Sequence, residues 1–255
     1  MAELDTAHAG RLVRVRQRPT SVLDVPTVRL WARGQTYQLN PQVTDANAHG
    51  VAADIAPPLW VSADNAVATV TTAGLVTAMS AVAGSTTITT TAVDSSGRTS
   101  PTFSTTVVFE PGKVRITGGN SQTGTVNAPL SPFVVQLANT QGVLKTDSGV
   151  PVRFDVYRGG GSIGGQSSDT IRTDVGGLAS VTLTLGRTAG ADSVKAYVLG
   201  GAADTVRLGA TAVAAAADSL VADSGDAQTG TVGAPLARQL VVRVSDTYGN
   251  SVSAQ

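Results

Sequence analysis

The sequence has no cysteine and only two histidines, His8 and His49. Without cysteine no disulfide can staple a small fold, so each module must bury enough core to stand alone, and about 100 residues suffice for that. The lack of cysteine leaves the compartment open. Two distant histidines and no thiol exclude a zinc centre. Charge is also scarce. Asp, Glu, Lys and Arg make up 14% of the chain, against about 25% in ordinary soluble domains. Basic and acidic residues balance at 18 each, for a formal net charge of +0. Such a chain has no long-range field to draw it onto nucleic acid or an anionic membrane. Its one basic run, Arg11, Arg14, Arg16 and Arg18, reads as the solvent face of a strand. No apolar run approaches the roughly 20 residues that cross a bilayer, so no membrane insertion is expected within the segment. Residues 1–10 carry Glu3 and Asp5 and lack the apolar centre of a secretory signal. Helical periodicity is nearly absent. The stretch 212–217 is too short to be a stable helix alone and reads as a connector between modules.

Thr, Ser, Gly, Ala and Val stand in place of the missing charge. β-branched side chains suit a pleated, half-buried surface, and glycine suits tight turns. Period-2 alternation runs along the whole chain. Val13 and Val15 alternate with Arg14 and Arg16, Val152, Phe154 and Val156 with Arg153 and Asp155, and Val181, Leu183 and Leu185 with Thr182 and Thr184. The runs 194–198 and 206–208 continue the pattern. Each is short and bounded by Gly, Pro, Asn, Asp or Ser, which predicts an all-β chain of antiparallel sheets in a sandwich or barrel.

The sequence also repeats itself. Gln122-Thr123-Gly124-Thr125-Val126-Asn127-Ala128-Pro129-Leu130 recurs as Gln228-Thr229-Gly230-Thr231-Val232-Gly233-Ala234-Pro235-Leu236, with one difference in nine positions. After a slip of one residue, Val134-Val135-Gln136-Leu137 corresponds to Val241-Val242-Arg243-Val244. The offset, 228 − 122 = 106 residues, is the size of one sandwich domain. The second copy reaches only about its first third by Gln255. A sandwich cut there would leave open strand edges, so the sequence reads as an excerpt of a longer protein. Residues 10–16 read as the last strand of a preceding module, followed by a joint bearing Pro19. The expected division is 1–19, 20–110, 111–215 and 216–255.

Two resemblances sharpen this. Residues 20–109 resemble the group 2 bacterial Ig-like domain, through the run from Leu30-Trp31 to Tyr37-Gln38-Leu39, then Val43-Thr44-Asp45-Ala46-Asn47. The signature Trp60-Val61-Ser62-Ala63-Asp64-Asn65-Ala66-Val67-Ala68-Thr69-Val70, with Gly74-Leu75-Val76-Thr77-Ala78 and the closing strand from Gly84 to Ala92, belongs to the same likeness. That resemblance places Trp60 at the centre of the sandwich. Residues 112–213 are similar to the group 1 kind found in invasin- and intimin-type adhesins. The carriers are the stretch from Gly118 to Leu130, Gly149-Val150-Pro151-Val152-Arg153-Phe154, Gly159-Gly160-Gly161-Ser162 and Thr173-Asp174-Val175-Gly176-Gly177-Leu178-Ala179. Residues 142–148 depart from that pattern where a Tyr-Gly-Asn-like turn belongs, which predicts a widened surface loop. The incomplete third copy has the turn, at Asp246-Thr247-Tyr248-Gly249-Asn250.

The chemistry-bearing candidates each have a plainer reading. Gly160-Gly161-Ser162-Ile163-Gly164 matches the serine-hydrolase G-x-S-x-G pattern, which needs a following helix and a late histidine. Both histidines lie upstream, so a Gly-rich hairpin is expected. The same glycines lack the Lys-Ser/Thr of a phosphate loop. Asp45, Asn47, Asp64, Asp94, Asp174 and Asp192 offer oxygen to a calcium ion, but no Asp-x-Asp-x-Asp-Gly loop is present, and turn carboxylates bond their own backbone. Trp31 and Trp60 are candidate sugar platforms, with core packing the expectation for both and the firmer one for Trp60. No N-x-S/T sequon occurs. No catalytic, cofactor-binding or metal-binding residue is assigned, and no cofactor is implied.

The expected fold is therefore all-β, tandem immunoglobulin-like antiparallel β-sandwiches. The resemblance implies an exported, non-catalytic stalk, spacer or adhesive module at a bacterial surface, its export signal lying outside the excerpt, with a protein or glycan on another cell surface as the class of partner. Two alternatives stand beside it. One is a decoration domain of a phage tail or capsid, and the other an accessory region of a secreted carbohydrate-active enzyme, which an exposed aromatic face would favour.

Overall fold

A computed structural model describes residues 18–51, 55–94 and 97–252. The strand expected at 10–16, with Arg11, Arg14, Arg16 and His8, lies outside the described residues. All regular structure among them is β, and no helix is long and apolar enough to cross a membrane. By contacts the chain divides into two units, the first formed by the described parts of 18–29, 36–79 and 84–108, the second by 30–35, 80–83 and 109–252.

The first nine strands are β1 (Ser21–Leu23), β2 (Thr27–Leu30), β3 (Thr36–Gln38), β4 (Gln42–Thr44), β5 (Ile55–Ser62), β6 (Ala68–Val70), β7 (Leu75–Ala78), β8 (Gly84–Asp94) and β9 (Phe103–Phe109). They form a sheet in the order β2-β9-β8-β5, a second in the order β3-β7-β6, and the pair β1-β4. Alternation sets the inner faces: Ile88 and Ala92 of β8 and Val76 and Ala78 of β7 are buried, while their neighbours are partly exposed. β5 is an edge strand whose pairing with β8 shifts register between Ala56 and Leu59. Pro57 and Pro58 fall at that bulge, where a missing N–H costs the ladder nothing and the edge is blunted.

The second unit holds β10 (Lys113–Gly118), β11 (Gln122–Thr125), β12 (Phe133–Ala138), β13 (Pro151–Arg158), β14 (Ser162–Ile163), β15 (Ser168–Arg172), β16 (Leu178–Val181), β17 (Leu183–Thr184), β18 (Gly190–Val198), β19 (Val206–Val213), β20 (Ala217–Ser224) and β21 (Val241–Asp246). A three-stranded sheet, β10-β12-β16, faces a five-stranded one, β11-β19-β18-β13-β15. Phe133, Val135 and Leu137 from one sheet meet Phe154, Val194, Ala196 and Leu208 from the other in one core. Each such large side chain, once buried, stabilises the fold by about 1.5–3 kcal/mol.

The opening segment of this sandwich serves both sheets. β10 pairs antiparallel with β12, and β11 pairs parallel with β19. The crossing is made at Gly119, whose φ is +74° and where a Cβ would lie 2.1 Å from the Pro132 carbonyl oxygen. Only glycine fits.

The ribbon β20–β21 reproduces β10–β12 pair by pair. Val114↔Leu137, Arg115↔Gln136 and Ile116↔Val135, with a bulge before Gly118, reappear as Leu220↔Val244, Val221↔Arg243 and Ala222↔Val242, with a bulge before Ser224. Gly225 repeats Gly119, with φ +85° and the same crowding by a carbonyl oxygen, that of Gln239. Gln122 braces its loop by donating to the Gly119 and Ser131 carbonyls and accepting from the Ser131 amide. Gln228 makes the same bonds to Gly225 and Arg238. One difference is instructive. Residues 122–125 form a strand because β19 lies alongside, whereas residues 228–231, identical in sequence, form none. The ribbon has no second sheet among the described residues, and Leu220 and Leu240 are 64% and 68% exposed.

Candidate functional site: a carboxylate–amide joint

The candidate carboxylates resolve mostly into one recurring turn. Asp45, Asp94, Asn139, Asp174 and Asp246 each open a hairpin in which the residue three positions on has positive φ: Ala48, Gly97, Gly142, Gly177 and Gly249. The side-chain oxygen accepts the amides inside the turn. Asp45 takes those of Asn47 and His49 at 2.9 and 3.0 Å, and Asp174 those of Gly176 and Leu178 at 2.8 and 2.9 Å. The His49 amide, more than any other contact, holds the Asp45 carboxyl below the usual carboxylate range, against the opposing pull of desolvation. Asp64 likewise caps the Ala66 amide at 2.8 Å, and Asn47 contributes only its amide to Asp45. Among the described residues no group of three or more His, Asp or Glu side chains is placed to hold a metal ion.

The widened loop expected at 142–148 begins with this same turn. Asn139 stands for Asp246, and its Oδ1 accepts the Val143 amide at 2.8 Å. The departure from the Tyr-Gly-Asn pattern therefore changes side chains and keeps the backbone.

Asp192 differs from the rest. It sits on the inward face of β18, in line with Val194, Ala196 and Val198, and is 1% exposed. Neither oxygen has a hydrogen-bond partner. Burial pushes its carboxyl above the usual range, and the nearby amides of Gly186 and Gly161 offset part of that rise. The glycine loop is built around it: a Cβ on Gly159 would lie 2.1 Å from Asp192 Oδ1. Ser162, in the same loop, belongs to β14 and pairs with Thr184. Ile163 and Gln166 close a tight hairpin through Gly164 and Gly165, both at positive φ. The G-x-S-x-G match is a hairpin, with no helix behind the serine.

One turn does more than close a hairpin. Asp246 is buried, and its Oδ1 accepts the Tyr248 and Asn250 amides at 2.9 and 2.8 Å. Its Oδ2 accepts the Ala215 amide and the Asn250 side-chain N–H, both at 2.9 Å. Asn250 also reaches into the preceding sandwich, donating to the Arg187 carbonyl at 2.8 Å and accepting the Ala189 amide at 2.7 Å. The Arg187 guanidinium lies over the Tyr248 ring, 5.6 Å from its centroid. Desolvation would raise the Asp246 carboxyl. The Asn250 side chain and the Ala215, Asn250 and Tyr248 amides outweigh it and bring the value down to about 2. Turn, connector and the loop before β18 are thus tied at one point.

Of the two tryptophans expected to pack in a core, only Trp31 is fully buried. Trp31 is 1% exposed and belongs to the core of the second unit, beside Leu137 and Val198. Its carbonyl accepts the Gly112 amide at 2.7 Å. Trp60, expected at the centre of a sandwich, is only partly buried. It points inward from β5, but β5 is an edge strand, so one side of the ring opens onto a groove of about 520 Å³. The ring also packs closely against Gly74, where a Cβ would come within 2.9 Å of it.

No family model matches the chain, and no curated protein matches it. Among solved structures it is similar to the D00-D0 domain of intimin, at 15% identity and a TM-score of 0.32, covering 76% of this chain and 98% of that one. It is similar to the Yersinia pseudotuberculosis adhesin InvE, at 15% identity and a TM-score of 0.37, over 75% of this chain and 58% of that one. It is also similar to the S-layer protein rSbsC, at 16% identity and a TM-score of 0.31, over 85% of this chain and 27% of that one. The chain thus spans little more than half of the InvE structure and about a quarter of the S-layer one.

Proposed function

We propose that this chain is a non-catalytic stalk or spacer segment of a bacterial cell-surface or secreted multi-domain protein. Its parts are a group 2-like Ig-like module over 20–110, an invasin/intimin-like group 1 module over 111–215, and the start of a further group 1-like module over 216–255. The observation that carries the reading is the joint at Asp246 and Asn250. A spacer must hold its modules in a fixed relation, and a bare linker cannot do so. Here only residues 214–216 separate β19 from β20, and the connector is tied by a buried carboxylate that is itself bonded to an amide side chain. A joint of this kind resists bending because opening it would strip the buried Asp246 carboxylate of its donors.

The test is the relative motion of residues 217–252 and 113–213, read from backbone ¹⁵N relaxation and residual dipolar couplings of the whole chain. A single alignment tensor should fit both parts, and Asn250→Ala should split it into two. Separate tensors in the unaltered chain would overturn the stalk reading.

A further inference from the structure

We propose that the groove beside Trp60 binds a neutral glycan. This goes beyond the stalk reading and does not rest on it. About 520 Å³ is the size of a site for one or two sugar rings, within the range of small-ligand clefts. The indole supplies an apolar surface, and the close approach of Gly74 limits how the ring can turn. A stack needs this, an aromatic face that stays open and cannot turn away.

The rim decides the ligand class. Gln38, Asn40 and Gln42, all exposed, line the same groove. Gln38 is held in place by donating to the Leu39 and Ala73 carbonyls, each at 2.8 Å, which leaves its Oε1 for a ligand. Side-chain amides both donate and accept, as hydroxyl groups require. No described residue lining the groove is ionisable, so none of these side chains compensates a sulfate, a uronate or an amine. A proline-rich peptide would want parallel aromatic ridges, and this groove has one ring and three amides. The arrangement fits a polyol with an apolar face, namely an uncharged pyranose.

The two tryptophan indole N–H resonances of the whole chain, followed by ¹⁵N correlation spectra, read the binding directly. Cellotetraose, chitotetraose and maltotetraose are titrated one at a time, beside a proline-rich peptide. At least one tetrasaccharide should move the Trp60 resonance, leave that of buried Trp31 in place, and give a dissociation constant on the order of 1 mM or tighter. Because Trp60→Ala risks unfolding the first unit, the exposed changes Asn40→Ala and Gln42→Ala carry the test. Each should weaken binding about three- to tenfold while the rest of the spectrum stays folded. A flat titration with all three sugars overturns the proposal. So does a response to the peptide alone, or a sugar response that neither variant weakens.

Discussion

The Asp246 carboxylate and the Asn250 side-chain amide lie four positions apart in sequence and 2.9 Å apart in space. Beyond the turn itself, the pair bonds Ala215, Arg187 and Ala189. Asn139 shows what this turn is without the joint, since it builds the same backbone with no second carboxylate oxygen. We therefore expect Asp246→Asn to keep the hairpin and loosen the connector. Amide hydrogen exchange should accelerate at Ala215 and stay slow within β21. The acid response has a definite sign. The folded carboxyl titrates at about 2, below the roughly 3.9 of an unfolded Asp. Its stabilisation is complete above the unfolded value and is lost as pH falls through about 2. Exchange at Ala215 should therefore rise only at the acid end of that window.

Trp31 and Trp60 carry the plainest mutational contrast. Trp31→Ala should destabilise the second unit by about 3–5 kcal/mol, the usual cost of truncating a core aromatic. Trp60→Ala, at a half-open edge, should cost the first unit clearly less. Urea unfolding followed unit by unit through assigned methyl resonances separates the two. Equal losses would place Trp60 back in a closed core.

That contrast also marks how far the sequence could be read. Period-2 alternation located the inward faces of β13 and β18, because side chains alternate strictly about a strand. The repeat predicted the β20–β21 ribbon's likeness to β10–β12, whose register it follows down to the bulge. The resemblance put Trp60 at the centre of the sandwich, but it carries no information on whether a strand of this chain lies at an edge, and β5 does. The strand missing at 228–231 is the same lesson, since its sequence equals that of β11 and only the neighbour β19 differs. Asn250 was legible as a turn residue. Its part in the joint depends on Arg187 and Ala189, some sixty residues away, which no local pattern encodes. The buried, unpaired state of Asp192 was likewise hidden, because a lone Asp among glycines reads as a turn.

The single difference between the two nine-residue copies falls at a position of special backbone. Asn127 has φ +62°, and its counterpart Gly233 has φ +79°. Glycine and asparagine are the residues that tolerate this region best. Asn127→Gly should therefore leave stability nearly unchanged, whereas Asn127→Ala should cost about 1 kcal/mol. Thermal unfolding of the chain checks both. A harmless alanine would mean that the turn can relax out of the left-handed region.

Asp192 is an inward carboxylate of the second core without a partner, and the prediction from it runs against the habit of treating buried charge as a stabiliser. Burial raises its folded pKa above the unfolded value of about 3.9. Folding then favours the protonated form. Its contribution is fully present below the unfolded pKa and is lost as pH rises through the folded one. An asparagine side chain at this position would mimic the protonated carboxyl in shape and carry no charge, so Asp192→Asn should stabilise the chain at pH 7 by on the order of 1 kcal/mol. The gain should shrink towards zero below pH about 4. Guanidinium unfolding at the two pH values, on both proteins, provides the four numbers. A gain of the same size at both would remove ionisation as its cause and leave packing against Gly159 as the explanation. A loss at neutral pH would mean that the Gly186 and Gly161 amides hold the carboxylate more strongly than burial opposes it.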